Sequence, residues 1–113
     1  MQPELHPILV VTSCDREDVC EKIARAVLER KLAACVQVSP PVRSSYWWQQ
    51  EIAEDREYLV SMKTDRRLFE ELASAIRRLH PYDVAEIIAT EIVAIDADYK
   101  RWMHESLKEP DGR

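Results

Sequence analysis

A chain of 113 residues, 46% hydrophobic and 33% charged, is long enough for one independently folding domain and has the composition of a globular protein. Its net charge of −5 disfavours nucleic acid, which would need a segregated basic patch that these scattered Lys and Arg residues do not form. A single glycine, Gly112, excludes glycine-rich phosphate loops, and with no asparagine either, the turns are expected to fall to Pro, Asp and Ser.

The first residues, 1–7, carry no basic leader, and no later apolar run reaches membrane-spanning length. A cytoplasmic protein without a membrane partner is the expectation. Ile8-Leu9-Val10-Val11-Thr12 predicts a short buried strand, followed by a loop at Ser13-Cys14-Asp15 in which Asp15 caps the next helix. Val19, Ile23 and Val27 place that helix's apolar stripe, and Arg30 and Lys31 suit its C-terminal end. A strand over 33–38 runs to the break at Pro40-Pro41. An aromatic strand over 46–52, a polar turn at Glu54-Asp55 and a strand over 57–64 complete a hairpin.

Thr64 or Asp65 caps a second helix with Leu68, Leu72, Ile76 and Leu79 on one face, and Pro81 ends it. A fourth strand is expected over 87–95, and Asp96 or Asp98 opens a last helix reaching Leu107. The tail, 108–113, reads as frayed. The whole of 1–113 is then one α+β domain, a β-α-β-β-α-β ferredoxin-like sandwich with an extra C-terminal helix. Such a fold hosts many functions and selects none.

Three cysteines, Cys14, Cys20 and Cys35, show no CxxC spacing and are expected as free thiols, with Cys14 the accessible one in its loop. His80-Pro81-Tyr82-Asp83, followed by Glu86, gathers an imidazole, a phenol and carboxylates within one short stretch. Those groups make an acid–base site if they converge and a rigid turn if they do not. Trp47 and Trp48 are strand neighbours and face opposite sides, so one of them needs a second surface, read here as a subunit contact. Lys63-Thr64 reads as an anion-binding pair or as a solvated lysine beside a capping threonine. HExxH, GxSxG and paired Cys and His spacings are absent.

Read in order, Leu32-Ala33-Ala34-Cys35-Val36, Ser45-Tyr46-Trp47-Trp48, Glu51-Ile52, Lys63-Thr64, His80-Pro81-Tyr82 and Glu86-Ile87-Ile88, with Tyr99 and Trp102 after them, form a recognisable series. The chain resembles the CutA divalent-cation tolerance family over residues 8–107. That resemblance implies a ferredoxin-like subunit, a cytoplasmic homotrimer, tolerance of copper and other divalent cations, and an architecture similar to the trimeric PII signalling proteins. It implies no catalytic reaction.

The departures are specific: Gln50 stands where members often have Gly, and Ala85 where they often have Pro. The family's metal-ligand positions read Thr12, Leu79 and Glu86, so Glu86 alone is kept. A copper or other divalent-cation site is expected to centre on Glu86, with His80 and Cys14 as further donors and weak binding as the consequence. The alternative is a PII-like trimeric sensor of a small anionic ligand held between subunits. A small hydrolase using His80 and Asp83 is a third reading, and a CxxC copper chaperone is disfavoured by the single thiol of Thr12-Ser13-Cys14-Asp15.

Overall fold

Alternation of apolar residues builds β1 (Pro7–Cys14), which buries Ile8, Val10, Thr12 and Cys14 on one face. Against that face α1 (Glu17–Glu29) lays Val19, Cys20, Ile23 and Val27. The computed structural model describes residues 4–109. Arg16, not Asp15, holds the N-cap position of α1 and makes no side-chain cap bond. Glu17 and Asp18 in the first turn face the positive end of the helix dipole instead.

The C-terminal end of α1 closes by backbone bonds. Lys31 N–H donates to the Leu28 carbonyl at 3.0 Å and Leu32 N–H to the Val27 carbonyl at 2.9 Å. This is the Schellman pattern, and it puts Lys31 at φ 57°, in the left-handed region that glycine normally fills. Leu32 is then fully buried, so the motif anchors the chain before β2 (Cys35–Val38).

The turn chemistry differs from expectation. β3 (Val42–Trp48) and β4 (Glu51–Asp65) are joined at Gln49-Gln50, with φ 50° and 70°. A two-residue hairpin turn that matches strand twist requires positive φ at both central residues. With no Asn and no Gly nearby, glutamines take those positions. Glu54 and Asp55, expected as the turn, are instead inside β4 opposite Ser45 and Ser44. Neither tryptophan of the hairpin enters the core: Trp47 is 72% and Trp48 46% exposed.

The main sheet runs β2-β4-β1-β5, with β5 (Ile88–Glu91) at one edge, and β3 pairs the far half of β4. Both β1 and β2 are antiparallel to β4, which separates them. They are therefore parallel to each other, a split β-α-β unit. α2 (Phe69–Leu79) follows a single 3-10 turn opened by Asp65, whose side chain accepts from the Arg67 amide. It packs beside α1 on the same sheet face, with Leu72 and Ile76 fully buried. The fourth strand is shorter than the expected 87–95: Ile92 adds one bond to the Pro7 carbonyl at 3.1 Å, and the chain then leaves the sheet.

At 15 residues β4 is the long axis of the molecule. About 3.4 Å per residue gives roughly 50 Å, and the largest dimension is 51 Å. The radius of gyration, 14.9 Å, exceeds the roughly 13 Å of a compact domain of this length because the β3–β4 arm projects.

α3 (Ala97–Ser106) starts at Asp96, whose carboxylate accepts from the amides of Asp98 and Tyr99, and it buries Met103 completely. The chain stays fixed beyond it. Lys108 N–H donates to the Lys31 carbonyl at 2.8 Å, its Nζ meets Glu71 at 2.7 Å, and its carbonyl accepts from Arg67. Residue 108, the first of the tail expected to fray, thus makes three bonds to the domain, while 110–113 lie outside the described residues.

Candidate functional site

The sheet face opposite α1 and α2 carries the site. Register places Ser13 at the end of β1 beside Leu59 of β4. Ser13 Oγ lies 3.2 Å from Glu86 Oε1 and donates to it. Glu86 belongs to the loop between α2 and β5, which also carries His80, Pro81, Tyr82 and Asp83. Pro81 blocks helix continuation, so the loop leaves α2 at His80 and wraps the sheet edge.

His80 locks that loop. Its Nδ1 accepts the Tyr82 amide at 3.2 Å, and its Nε2 lies 2.6 Å from the Ser13 carbonyl. A carbonyl only accepts, so the proton sits on Nε2 and the imidazole is held in one neutral tautomer. The rings of His80 and Tyr82 meet edge to face at 4.6 Å. Both nitrogens of His80 are thus occupied, and neither lone pair is offered to a metal.

Tyr82 then reaches across the cleft. Its hydroxyl donates to Glu57 Oε2 at 2.9 Å. Burial, and after it the Glu57 hydrogen bond, push the Tyr82 phenol far above the ordinary tyrosine range. On the β3–β4 arm, strand alternation sets Tyr46 and Trp48 on the same face as Asp55 and Glu57. Tyr46 donates its hydroxyl to Asp55, and that bond pushes the Tyr46 phenol up to about 12.

Between the arm and the loop lies a cleft of about 830 Å³. It is lined by five carboxylate residues, Asp15, Asp55, Glu57, Asp83 and Glu86, with Tyr46, Trp47, Trp48 and Tyr82, and, among the described residues, by no Lys, Arg or His. The acids come from three separate stretches of chain. Among the described residues no three His, Cys, Asp or Glu side chains converge to hold a metal ion.

The three predicted donors are therefore not gathered. Glu86 is exposed at the cleft. His80 is buried and committed to Ser13 and Tyr82. Cys14, expected in an open loop, is the last residue of β1 and fully buried on the helix-covered face, because pairing with Tyr58 extends the strand two residues past Thr12. Its thiol lies under the sheet, and burial raises its pKa. Asp83, paired with His80 in the hydrolase reading, lines the cleft without contacting the imidazole. Thr12 is fully buried and Leu79 is half-exposed.

Asp55, Glu57, Tyr46 and Asp15 were not read from the sequence as site residues. For Glu57 a signal existed: a carboxylate in phase with Leu59 and Ser61 on a strand whose other face is core.

Comparison with known proteins gives a consistent picture. The family model described as CutA1 divalent ion tolerance protein matches residues 8–106. Protein CutA of Mus musculus is 42% identical over 93 residues, 82% of this chain and 52% of that protein, so the chain spans about half that relative's length. The divalent-cation tolerance protein CutA of Thermus thermophilus is 39% identical over 98 residues, 87% of this chain and 95% of the relative. The crystal structure of CutA1 from Oryza sativa superposes with a TM-score of 0.90 at 31% identity, covering 94% of this chain and 97% of that one.

Proposed function

We propose, from the premise that the chain belongs to the CutA1 divalent ion tolerance protein family, that it serves divalent-cation tolerance by binding cations in the acidic cleft rather than by catalysis. The observation that carries this is the lining itself, carboxylates with no basic side chain among the described residues. Copper is among the ions proposed, and Glu86 is the direct donor. His80 acts behind it by fixing Ser13, and Cys14 stays beneath the sheet. A site with so few donors binds Cu²⁺ no tighter than about micromolar.

Calorimetric copper titration of the native chain and of Glu86→Gln tests this. The expected result is weak native binding lowered at least about fivefold in the variant, the loss of one charged donor. Equal binding by both removes Glu86 from the site, and no binding by either removes metal from the cleft. The other reading, a small anion held between subunits, is not favoured by a cleft that lacks Arg and Lys among the described residues.

The same proposal includes a ferredoxin-like subunit in a homotrimer. Trp47 and Ile52 face each other across the arm and are 72% and 65% exposed, and Ile88 is 52% exposed. Closed symmetric assembly covers such surfaces and removes open sheet edges. Light scattering at low micromolar concentration is expected to give three times the chain mass, with a melting temperature that rises with concentration; a monomer mass overturns it. Cytoplasmic residence belongs to this reading too, supported by three free thiols. Cell fractionation tests it.

A further inference from the structure

Two thiols lie together under the sheet. Cys14 ends β1 and Cys20 stands near the start of α1, on the faces that the two elements turn toward each other, and both are fully buried in one core. Both are free. The Cys20 S–H donates to the Cys14 sulfur, and the Cys14 S–H points to Asp15 Oδ1 at 4.0 Å. The three groups form a chain that runs from the core to an exposed carboxylate.

The Cys14 sulfur also sits at the head of α1, where the Arg16 and Asp15 amides direct their N–H groups at it. Arg16, the N-cap residue, makes no side-chain cap bond, so the sulfur stands in for a capping oxygen. Donors gathered on one sulfur favour its thiolate. Burial outweighs them and keeps the Cys14 thiol raised, while burial and then the Cys14 sulfur push Cys20 up to about 11. Cys14 is therefore the attacking sulfur of the two, and Cys20 its partner. One further polar group lies in this layer. Thr12 Oγ1, one pleat earlier on the same face of β1, is fully buried with no hydrogen-bond partner among the described residues. A core that holds two S–H groups and an unmet hydroxyl admits a small polar molecule more readily than a purely aliphatic one.

We propose that Cys14 and Cys20 are a reversible oxidation site, a dithiol that a peroxide converts to the Cys14–Cys20 disulfide. Hydrogen peroxide is uncharged and close to water in size, so it reaches sulfur that a bulky thiol reagent does not. The Cys14 thiolate, its proton passed to Asp15, attacks one peroxide oxygen. The O–O bond breaks, Cys14 becomes a sulfenic acid, and the departing hydroxide takes up the proton as water. The Cys20 sulfur then attacks the Cys14 sulfur, the S–O bond breaks, and hydroxide leaves with the Cys20 proton as a second water. The two thiols lose two electrons in all, and the peroxide gains them. A small thiol such as glutathione reverses the step by exchange. The inference does not use Glu86, and it stands whether or not the cleft holds metal.

The test is exposure of the folded full chain to hydrogen peroxide, alkylation of the remaining thiols in denaturant, and mass spectrometry after tryptic cleavage at Arg16 and Lys22. The expected product is peptide 1–16 joined to peptide 17–22, two hydrogens lighter and parted by dithiothreitol. Cys35→Ser leaves its yield unchanged. Cys20→Ala abolishes the link and lets Cys14 run on to the irreversible sulfinic acid, and Cys14→Ala leaves Cys20 reduced. A native chain that forms no such link overturns the proposal, as does one in which links to Cys35 are as abundant. Oxidation of Cys20 in Cys14→Ala at the native rate overturns the order of attack. If a variant loses its native circular dichroism, the native chain decides by comparison with its urea-unfolded form. The Cys14–Cys20 link is expected to dominate in the folded chain and to compete with links to Cys35 in the unfolded one, and equal product ratios in the two overturn the proposal.

Discussion

Replacing Lys31 by glycine is expected to stabilise the protein. Lys31 sits at φ 57° in the closing turn of α1, where a β-carbon approaches the following carbonyl at a cost of about 1–2 kcal/mol. Glycine removes that cost but raises the freedom of the unfolded chain, returning about 0.4–1 kcal/mol. The net gain is about 0.5–1 kcal/mol. No bond is lost in the exchange: Lys31 contributes its amide to Leu28 and its carbonyl to Lys108, and glycine keeps both. Its side chain is exposed. Urea unfolding at one fixed protein concentration measures the effect, since assembly makes stability concentration-dependent. A higher midpoint with unchanged slope is expected, together with a melting temperature raised by roughly 2–4 °C. Lys31→Ala keeps the β-carbon and is expected to stay close to the native value. If glycine is neutral or destabilising while alanine stays at the native value, strain at Lys31 is not what the sequence carries there.

Three further outcomes follow from the titratable groups. Burial raises the thiols of Cys14 and Cys20, the latter to about 11, so a thiol reagent at neutral pH is expected to label at most the half-buried Cys35 until the chain unfolds. Labelling of all three in the folded protein refutes the buried placement. Tyr46, held at about 12 by its bond to Asp55, favours the folded state below the ordinary tyrosine value of about 10, and that contribution disappears as pH rises through 12. Tyr46→Phe removes the rise in tyrosinate absorbance near pH 12, leaving the still later one of Tyr82, and Asp55→Asn moves the Tyr46 rise back toward about pH 10. Glu71 is lowered by its hydrogen bond from Lys108, so its contribution is present above the ordinary glutamate value and lost as pH falls through the folded one. Lys108→Ala is expected to lose less stability than the native chain between about pH 5 and pH 3.

The helices and the core strands were legible because their apolar periods are unbroken. Val19, Ile23 and Val27, and Leu68, Leu72 and Ile76, occupy the buried faces that their spacing indicates. The hairpin turn was not. Gln49-Gln50 carries no turn propensity, and only the antiparallel register of Trp47 with Ile52 forces the reversal there. Gln50, where the family resemblance implied a glycine, was the one local signal. Site residues read unevenly for a similar reason. Glu86 and His80 stand in one short loop that sequence proximity flags, whereas Asp55 and Glu57 reach that loop only through pairing across the sheet. Cys14 was misplaced because a strand's end is set by its partner, here Tyr58, and not by its own residues.

The single strand β4 couples the arm to the domain by parity. Pairing runs without interruption from Trp48 opposite Glu51 to Pro7 opposite Asp65, and each residue along it faces the side opposite to its neighbours. One residue inserted between Asp55 and Glu57 would turn Asp55, Tyr46 and Trp48 away from the loop that carries Glu86 while leaving the core intact. Two inserted residues would restore the faces and lengthen the arm by about 7 Å. Length variation in this arm is therefore tolerated in steps of two per strand, and a family descended through such changes would keep its cleft only along the even steps.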